Sequence, residues 1–457
     1  MARSLIACLS FALVLAQVAR SSAAPACTHF ASPTGSGSGA SPSEPFKIAD
    51  FWRRARPGYT LCLLDGEYTG RDSMINPPQR LSGAPSAPIT IRAMNDGKVT
   101  IDGQGRFYPV RLRQNDYFVL EGFNAHDSDG TVIALERSSH NIVRRVVAWD
   151  AADGNHTIFG IHYGDHNLLE DVAGWGIARK IVEASQRGNY TTIRRMWARW
   201  EGSHVIGPKM TYSLAYNNYS MICENCIGTW SGERMKQSYT LMDYHRRPWA
   251  GRGAGTYVDG NVNQPYGIFA VDGLPDNAKS AGSKLLGSIA YVQASDQFHS
   301  RQAVFVTDLD GFEIADTAVY IEPGSHRSKR AFTLSNLKRG TAASLVARRL
   351  TAIGGAPSVI ESQWAKSSIV QGPQLGSVGS VFNSNAGARL CYRYHDGALT
   401  SQPLWPWPMD QRIARAMIES RRAAVEVTRT IEALFGAIPA ACKSAGPAGE
   451  PSAAAAP

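Results

Sequence analysis

The stretch GWGIARKIVEASQRGNYTTIRRMWARWEG, residues 174–202, concentrates charged and aromatic side chains that are able to do chemistry. Its six cations are Arg179, Lys180, Arg187, Arg194, Arg195 and Arg199, and its three tryptophans are Trp175, Trp197 and Trp200. Guanidinium and ammonium groups bind anionic ligands, but they also neutralise acidic neighbours inside a fold. Whether these cations bind a ligand or neutralise carboxylates inside the protein depends on which secondary-structure elements position them.

Related segments recur along the chain at intervals of 23 to 30 residues. The five clearest units cover 117–130, 140–154, 166–180, 190–204 and 220–233, with apolar anchors at Leu120, Val143, Leu169, Ile193 and Cys223. Each unit has the pattern of a short strand followed by small and polar turn residues. One such unit buries its apolar side only when it stacks on its neighbours. Repeats of this length without a long helix predict an all-β fold, a parallel β-helix.

The repeat alignment predicts a scaffold role for four of the arginines. One place after the anchor stand Glu121, Arg144, Glu170, Arg194 and Glu224, and the next column is Gly122, Arg145, Asp171, Arg195 and Asn225. Equivalent positions of neighbouring coils lie about 4.8 Å apart, so opposite charges alternate up the stack. Such pairs contribute roughly 0–1 kcal/mol each when exposed, and they disfavour slipped registers. We therefore expect these arginines to be structural.

Other chemical side chains fall in the turns after the strands, where proteins commonly build sites. The cations there are Arg179, Lys180 and Arg199, the aromatic group is Trp149, Trp175, Trp200 and His204, and the carboxylates are Asp127, Asp150 and Asp153. Stacking predicts that they meet on neighbouring coils. The three carboxylates offer oxygen ligands of the kind that Ca²⁺ prefers. The alternative is that Asp153 only pairs with Arg179 and that DAADG is only a turn.

The amino-terminal segment has the features of a secretory signal. A positive residue, Arg3, precedes the apolar run 5–18 and a small-residue cleavage site before Ala24. The run is too short to span a bilayer, and no other run of that kind follows. We therefore expect a secreted or periplasmic protein without a membrane partner.

The remaining chain divides by composition. We predict a signal peptide at 1–23, a β-helix domain at 24–405, a helical carboxy-terminal segment at 406–442 and a disordered tail at 443–457. Helical spacing at Ile48 and Phe51 predicts a short cap helix before the first coils. Asp410 is suited to cap the carboxy-terminal helix.

Six cysteines remain after residue 23, and export permits disulfides between them. We expect two disulfides, Cys27–Cys62 near the amino-terminal end and Cys391–Cys442 near the carboxy-terminal end of the domain. The CENC motif at Cys223 and Cys226 is either a redox or metal pair or, as we favour, a pair of core thiols or a local disulfide.

The formal net charge of +9 favours anionic partners such as acidic polysaccharide, nucleic acid or anionic lipid. The chain has no lysine-rich tail and no nucleic-acid motif, so we expect no nucleic-acid partner. The sequence does not indicate an oligomeric state.

Three segments carry a resemblance to a known class: SPTGSGSGASPSEPF, ARPGYTLCLLDGEYTG and SAPITIRAMNDGKVTIDG. Together they resemble the amino-terminal portion of secreted right-handed parallel β-helix proteins, including polysaccharide lyases of the pectate, alginate and chondroitin type. The resemblance implies a right-handed parallel β-helix and an acidic polysaccharide as the partner. The characteristic catalytic motifs of these lyases are not intact here.

A lyase of this kind removes the proton α to a uronate carboxylate by β-elimination. The charge that develops on the carboxylate needs a cation or metal, and a base must reach the proton. On this hypothesis Lys180 is the base, Arg179 and Arg199 hold the carboxylate, and Ca²⁺ is a possible cofactor. Trp149, Trp175, Trp200 and His204 would line the sugar-binding surface.

Two other functions stay open at this point. The same basic, tryptophan-rich face suits a non-catalytic carbohydrate-binding or exopolysaccharide-assembly protein. A glycoside hydrolase or epimerase is less favoured, because no strand carries a clear pair of an acid and a water-activating carboxylate.

Overall fold

The described parallel strands stack in three columns, and successive coils add strands to each column. The computed structural model describes residues 26–152, 154–203, 209–216, 218–230, 265–272, 281–292, 302–307, 309–322, 330–335, 343–354, 359–360, 369–371, 390–405, 407–408 and 410–420. This arrangement is the predicted right-handed parallel β-helix.

The first stack contains His29–Ala31, Thr60–Leu63, Ile89–Ala93, Phe118–Glu121, Ile142–Arg144, Ile222–Glu224, Lys284–Leu286, Phe312–Ala315, Leu345–Arg348 and Ile369–Gln371. The second contains Gly66–Tyr68, Val99–Asp102, Asn124–His126, Val147–Trp149, Ile227–Trp230, Ile289–Val292, Ala318–Ile321 and Thr351–Ile353. Two long strands, Leu168–Ile177 and Thr192–Gly202, run through both stacks. The third contains Val110–Arg113, Ile133–Glu136, Thr157–His162, Lys180–Ser185, Lys209–Tyr216, Pro265–Asp272, Gln302–Thr307, Arg330–Ser335 and Val359–Ile360.

A left-handed residue forms the corner between the first and second stacks in every described coil from Gly122 onward. The corner residues are Gly122, Arg145, Asp171, Arg195, Asn225, Gly287, Asp316 and Arg349, with φ between 48° and 82°. One residue in this region turns the chain sharply while both neighbouring strands keep their pairing. The second column of the repeat alignment is therefore this corner.

The interior is a continuous apolar core that follows the repeat anchors. Leu120 pairs with Val143, Val143 with Leu169, Leu169 with Ile193, and Ile193 with Cys223. All five side chains are buried. The predicted alignment is confirmed in register, because a shift by one residue would turn every anchor to the outside.

The predicted charge ladder is also present. Arg144 donates to Glu121 at 3.0 Å, and Arg194 donates to Glu170 at 2.7 Å. Arg195 contacts Glu170 at 2.6 Å and Asp171 at 2.7 Å. These arginines pair with carboxylates of neighbouring coils and belong to the scaffold.

The amino-terminal end of the coil stack is closed as predicted. The helix Ile48–Phe51 buries its two terminal apolar side chains against the first coils. The disulfide Cys27–Cys62 joins the first two strands of the first stack. A 3₁₀ helix, Arg71–Ser73, follows.

The carboxy-terminal segment packs back onto the outside of the coils. It begins with an antiparallel hairpin of Tyr392–His395 and Ala398–Pro403, and it continues into the helix Gln411–Ser420. Asp410 caps that helix by accepting from the Arg412 amide at 2.9 Å, as predicted. Cys391 is disulfide-bonded, and its predicted partner Cys442 lies outside the described residues. The predicted signal peptide and the predicted tail also lie outside the described residues. Among the described residues, no helix combines the length and apolar composition that a bilayer crossing requires.

Candidate functional site

The outer face of the third stack carries a row of small side chains flanked by charges. In register, Arg111 pairs with Ala134, Ala134 with Gly160, and Gly160 with Glu183. A Cβ at Gly160 would lie only 2.7 Å from Thr157 Oγ1, so neighbouring side chains already pack against this glycine. We call this row the trough: two small residues, Ala134 and Gly160, lie in register between the charged Arg111 and Glu183.

One carboxylate at this trough holds two basic groups. Lys180 Nζ donates to Glu183 Oε1 at 2.5 Å, and His162 Nε2 lies 3.4 Å from Glu183 Oε2. Ser185 Oγ donates to the same Oε1 at 3.0 Å. Lys180, Glu183 and His162 form the group that we call the trough triad.

The trough triad fixes the charge of its carboxylate. Burial by itself raises the pKa of Glu183, but the hydrogen bonds and charges of His162 and Lys180 outweigh burial and hold that pKa well below its usual value. Glu183 is thus an anion at neutral pH. Its contacts position the imidazole of His162 and the ammonium of Lys180 on the same face.

Further charges lie along the trough. Arg111 donates to Glu136 at 3.0 Å and stacks over the Tyr108 ring, with 4.6 Å from its guanidinium carbon to the ring centroid. Glu136 stands next to His162 in register. The face therefore combines cations with an aromatic ring, which suits a ligand that has both carboxylates and flat apolar surfaces.

The three predicted catalytic cations do not share one face. Lys180 belongs to the third stack, whereas Arg199 lies in the second-stack part of its strand, is only 2% exposed and sits 3.7 Å from Glu201. Arg179 precedes Lys180 and donates to Asn155 Oδ1 at 2.6 Å. A corner of the coil separates Lys180 from Arg199, because the two side chains belong to different stacks.

Two of the tryptophans that were predicted to bind sugar, Trp149 and Trp175, instead lie ring to ring on the outside of the second column of strands. Trp149 and Trp175 are parallel with ring centroids 5.7 Å apart, and His126 stacks on Trp149 at 4.4 Å. Both tryptophans belong to an apolar cluster with Trp405, Trp407 and Ile413 of the carboxy-terminal segment. Trp175 is 5% exposed, so this segment covers most of its surface.

The prediction for Trp200 is wrong. Its side chain points into the core, has no exposed surface, and donates Nε1–H to the Ala178 carbonyl at 2.8 Å. A ring without exposed surface cannot stack on a sugar. Strand alternation explains this burial. Trp200 follows the outward-facing Arg199 by one residue, so its own side chain faces inward. His204 lies outside the described residues.

The two predicted Ca²⁺ carboxylates that the structure describes, Asp127 and Asp150, are not gathered into one group of ligands. Asp127 and Asp150 occupy neighbouring coils, but Asp150 Oδ1 accepts from the Ile177 amide at 2.9 Å and thus points to the next coil. Asp153 lies outside the described residues. Asp127 instead meets His126 Nδ1 at 3.0 Å, and the same nitrogen is 3.8 Å from Asp102.

The group of Asp102, His126 and Asp127 offers one ligand atom each within 4.8 Å. An imidazole nitrogen among only three ligands does not match the shell of six to eight oxygens that Ca²⁺ takes. Nitrogen with carboxylates suits a transition metal better. This group therefore does not fit Ca²⁺, and the predicted calcium site stays a prediction, because Asp153 lies outside the described residues.

Sequence reasoning missed His162 and Glu183. Both lie on third-stack strands, which the repeat alignment did not include because it followed the first and second stacks. The alternation EAS in Lys180–Ser185 places Glu183 and Ser185 on one face, and this is the signal that would have found them.

Fold and trough together define a right-handed parallel β-helix protein with a charged outer face. The structure is similar to that of the pectate lyase Pel9A, with 14% identity, 82% of this chain and 92% of that chain covered, and a TM-score of 0.44. It is also similar to an alginate lyase from Paenibacillus sp. str. FPU-7, with 12% identity, coverage of 71% and 96%, and a TM-score of 0.44. A lacto-N-biosidase from Eubacterium ramulus has 11% identity, coverage of 75% and 66%, and a TM-score of 0.46.

These similarities concern the fold alone. No family model matches the chain, and no curated protein matches it. The chemistry of the site has to be argued from its own residues.

Proposed function

We propose that the outer face of the third stack binds an acidic polysaccharide and cleaves it by β-elimination at a uronate residue. The observation that carries the proposal is the trough triad, in which one anionic carboxylate positions both an imidazole and an ammonium. The net charge of +9 and the guanidinium of Arg111 favour a polyanionic chain along the trough.

The triad supplies the two groups that β-elimination needs. In the proposed step the neutral imidazole of His162 directs Nε2–H to Glu183 Oε2, 3.4 Å away, and Nδ1 accepts the proton α to the uronate carboxylate. Lys180 stabilises the charge that develops on that carboxylate. The imidazolium then returns the proton to the departing glycosidic oxygen, so His162 is unchanged after one turnover.

This assignment changes the role predicted for Lys180. Its Nζ already donates to Glu183 at 2.5 Å, and that geometry favours a cation over a base. Arg199 takes no part in the step, since it lies on the second stack. Arg179, which donates to Asn155 Oδ1, is assigned no role in the step. No step uses a metal, because the described carboxylates do not form a calcium shell.

The test is a screen of the full chain against alginate, pectate, rhamnogalacturonan and glycosaminoglycans, with ultraviolet absorbance of unsaturated uronate ends as the readout. With the polymer that reacts, we expect His162→Ala to lower kcat by about 10²–10⁴, the typical contribution of a general base. His140→Ala is the matched control, because His140 is an exposed histidine in the turn between the third and first stacks, where its ring stacks on Tyr117 and His166. It should leave kcat unchanged.

Three results would contradict the proposal. One is the absence of unsaturated product from every uronate polymer, and another is full activity of His162→Ala. Saturable binding without any product would favour the non-catalytic carbohydrate-binding function instead. A chelator followed by added Ca²⁺ completes the screen, since loss and recovery of turnover would restore the calcium prediction.

A further inference from the structure

Two cysteines face each other inside the coil at the corner formed by Asn225. Cys223 is the middle residue of the first-stack strand Ile222–Glu224, and Cys226 lies between the corner residue and the second-stack strand Ile227–Trp230. Their sulfur atoms are 3.0 Å apart. Both side chains are buried and are present as free thiols. The proposed polysaccharide chemistry uses neither of them.

The corner, and not the cysteines, creates this proximity. The same two inward positions are filled by Leu120 and Phe123, Val143 and Val146, Leu169 and Val172, and Ile193 and Met196 in the preceding coils. Each of these pairs flanks a left-handed corner residue and is buried in the core. Every described coil from Leu120 to Cys226 thus places the side chains at i and i+3 next to each other, and only this coil has cysteine at both.

We infer that Cys223 and Cys226 form a disulfide in the exported protein, which closes the corner from inside the core. A bonded pair of sulfurs lies about 2.05 Å apart, so the two side chains need to approach by only about 1 Å. The Cys27–Cys62 disulfide places the chain in an oxidising compartment. In the reaction both thiols lose their protons and the sulfur pair loses two electrons. The electrons pass to the disulfide of a thiol–disulfide oxidoreductase, whose two sulfurs leave as thiols.

Burial dictates when this bond forms. Exchange requires a thiolate and access to the partner disulfide. In the folded coil, burial raises the pKa of the Cys223 thiol, and the neighbouring Cys226 raises it further. The pair therefore reacts before the coil closes, and the folded protein keeps the state in which it was folded.

The bond would lie where the carboxy-terminal hairpin docks. Asn225 Nδ2 donates to the Tyr394 carbonyl at 2.8 Å, and Glu224 accepts from the amides of Asp396 and Gly397 at 3.0 and 2.9 Å. A disulfide across Glu224 and Asn225 holds the backbone that carries both contacts. It thus stabilises the attachment of the hairpin to the coils.

The test counts free thiols in the full chain purified from an oxidising compartment. The protein is denatured in the presence of an alkylating reagent and without reductant, and it is then digested with trypsin. Mass spectrometry gives the mass of peptide 210–234, which contains both cysteines. We expect a peptide without alkyl groups and lighter by two hydrogens, which gains two alkyl groups after reduction. Two alkyl groups on most of the unreduced peptide would overturn the inference.

Cys27 and Cys62 are the internal control in the same sample. Their peptides must remain linked without reductant, which shows that handling has not reduced the protein. A second preparation, folded in a reducing cytosol, should give two alkyl groups on peptide 210–234 in denaturant and none in the native state. Reaction of these thiols in the native state would contradict the burial argument and with it the early closure of the bond.

Discussion

At the scale of single residues, the arginines of this chain differ in how many carboxylates surround them and in how much water reaches them. Arg195 donates to both Asp171 and Glu170, and its side chain is 17% exposed. Arg53 pairs with Asp50 alone, at 2.5 Å, and is 79% exposed. The ion pairs of Arg195 should therefore contribute more to the free energy of unfolding than the ion pair of Arg53.

We expect Arg195→Ala to lower the free energy of unfolding by an amount between the two limits known for ion pairs. An exposed pair contributes roughly 0–1 kcal/mol, and breaking a fully buried pair costs roughly 3–5 kcal/mol. Arg53→Ala, the control, belongs at the lower limit. Urea unfolding of both variants checks this, and equal losses would show that burial of the ladder contributes nothing.

At the scale of elements, the carboxy-terminal helix covers an apolar surface of the second stack. Ile413 is fully buried in the cluster that holds Trp149 and Trp175, whereas Arg415 on the same helix is exposed. Arg412 Nη2 also donates to Asn124 Oδ1 at 2.6 Å. The described contacts of the helix with the coils are thus both apolar, through Ile413 and Ala416, and polar, through Arg412, which also lies 3.5 Å from Asp96.

We expect Ile413→Asp to detach this helix, because a carboxylate would have to be buried against the tryptophans. Tryptophan fluorescence should then shift to longer wavelength, and binding of a hydrophobic dye should rise. Arg415→Asp places the same carboxylate on the solvent side and should change neither signal. Identical spectra for the two variants would mean that the helix does not cover the cluster.

The same element shows which features the sequence could predict. The anchors from Leu120 to Cys223 repeat with the coil, so local pattern was sufficient for the fold and for the charge ladder. The cover over Trp175 depends on Ile413, which is distant in sequence and has no periodic relation to the repeats. The trough triad was missed for a related reason, because His162 and Glu183 come from two third-stack strands that meet only after the coils stack.

At the scale of the whole molecule, ion pairs between coils make stability depend on pH. The carboxyl groups whose pKa is lowered by neighbouring cations are Glu170, Glu183 and Glu313. In each, burial opposes the shift and hydrogen-bonded Arg, Lys or His side chains overcome it. Glu224 is the opposite case, since burial raises its pKa and the Asp396 and Gly397 amides offset this only in part.

The sign of the effect follows from proton binding. Where the pKa of a carboxyl group in the folded protein lies below the usual 4.5, the unfolded chain binds more protons than the folded chain as the medium is acidified. The free energy of unfolding therefore decreases as the pH decreases. The stabilisation from these three groups is complete above 4.5 and is lost as the pH falls through their folded pKa values. Glu224 contributes in the reverse direction, and its stabilisation is lost as the pH rises through its folded pKa.

We therefore expect the urea midpoint of unfolding to fall when the pH is lowered from neutral to below 4.5, since three groups outweigh one. Glu170→Gln should flatten this dependence, because it removes a titrating group that contacts both Arg194 and Arg195. Glu224→Gln should make it steeper, because it removes the opposing group. A midpoint that does not change with pH, or the same profile in both variants, would show that pairing between coils does not set the acid stability of the molecule.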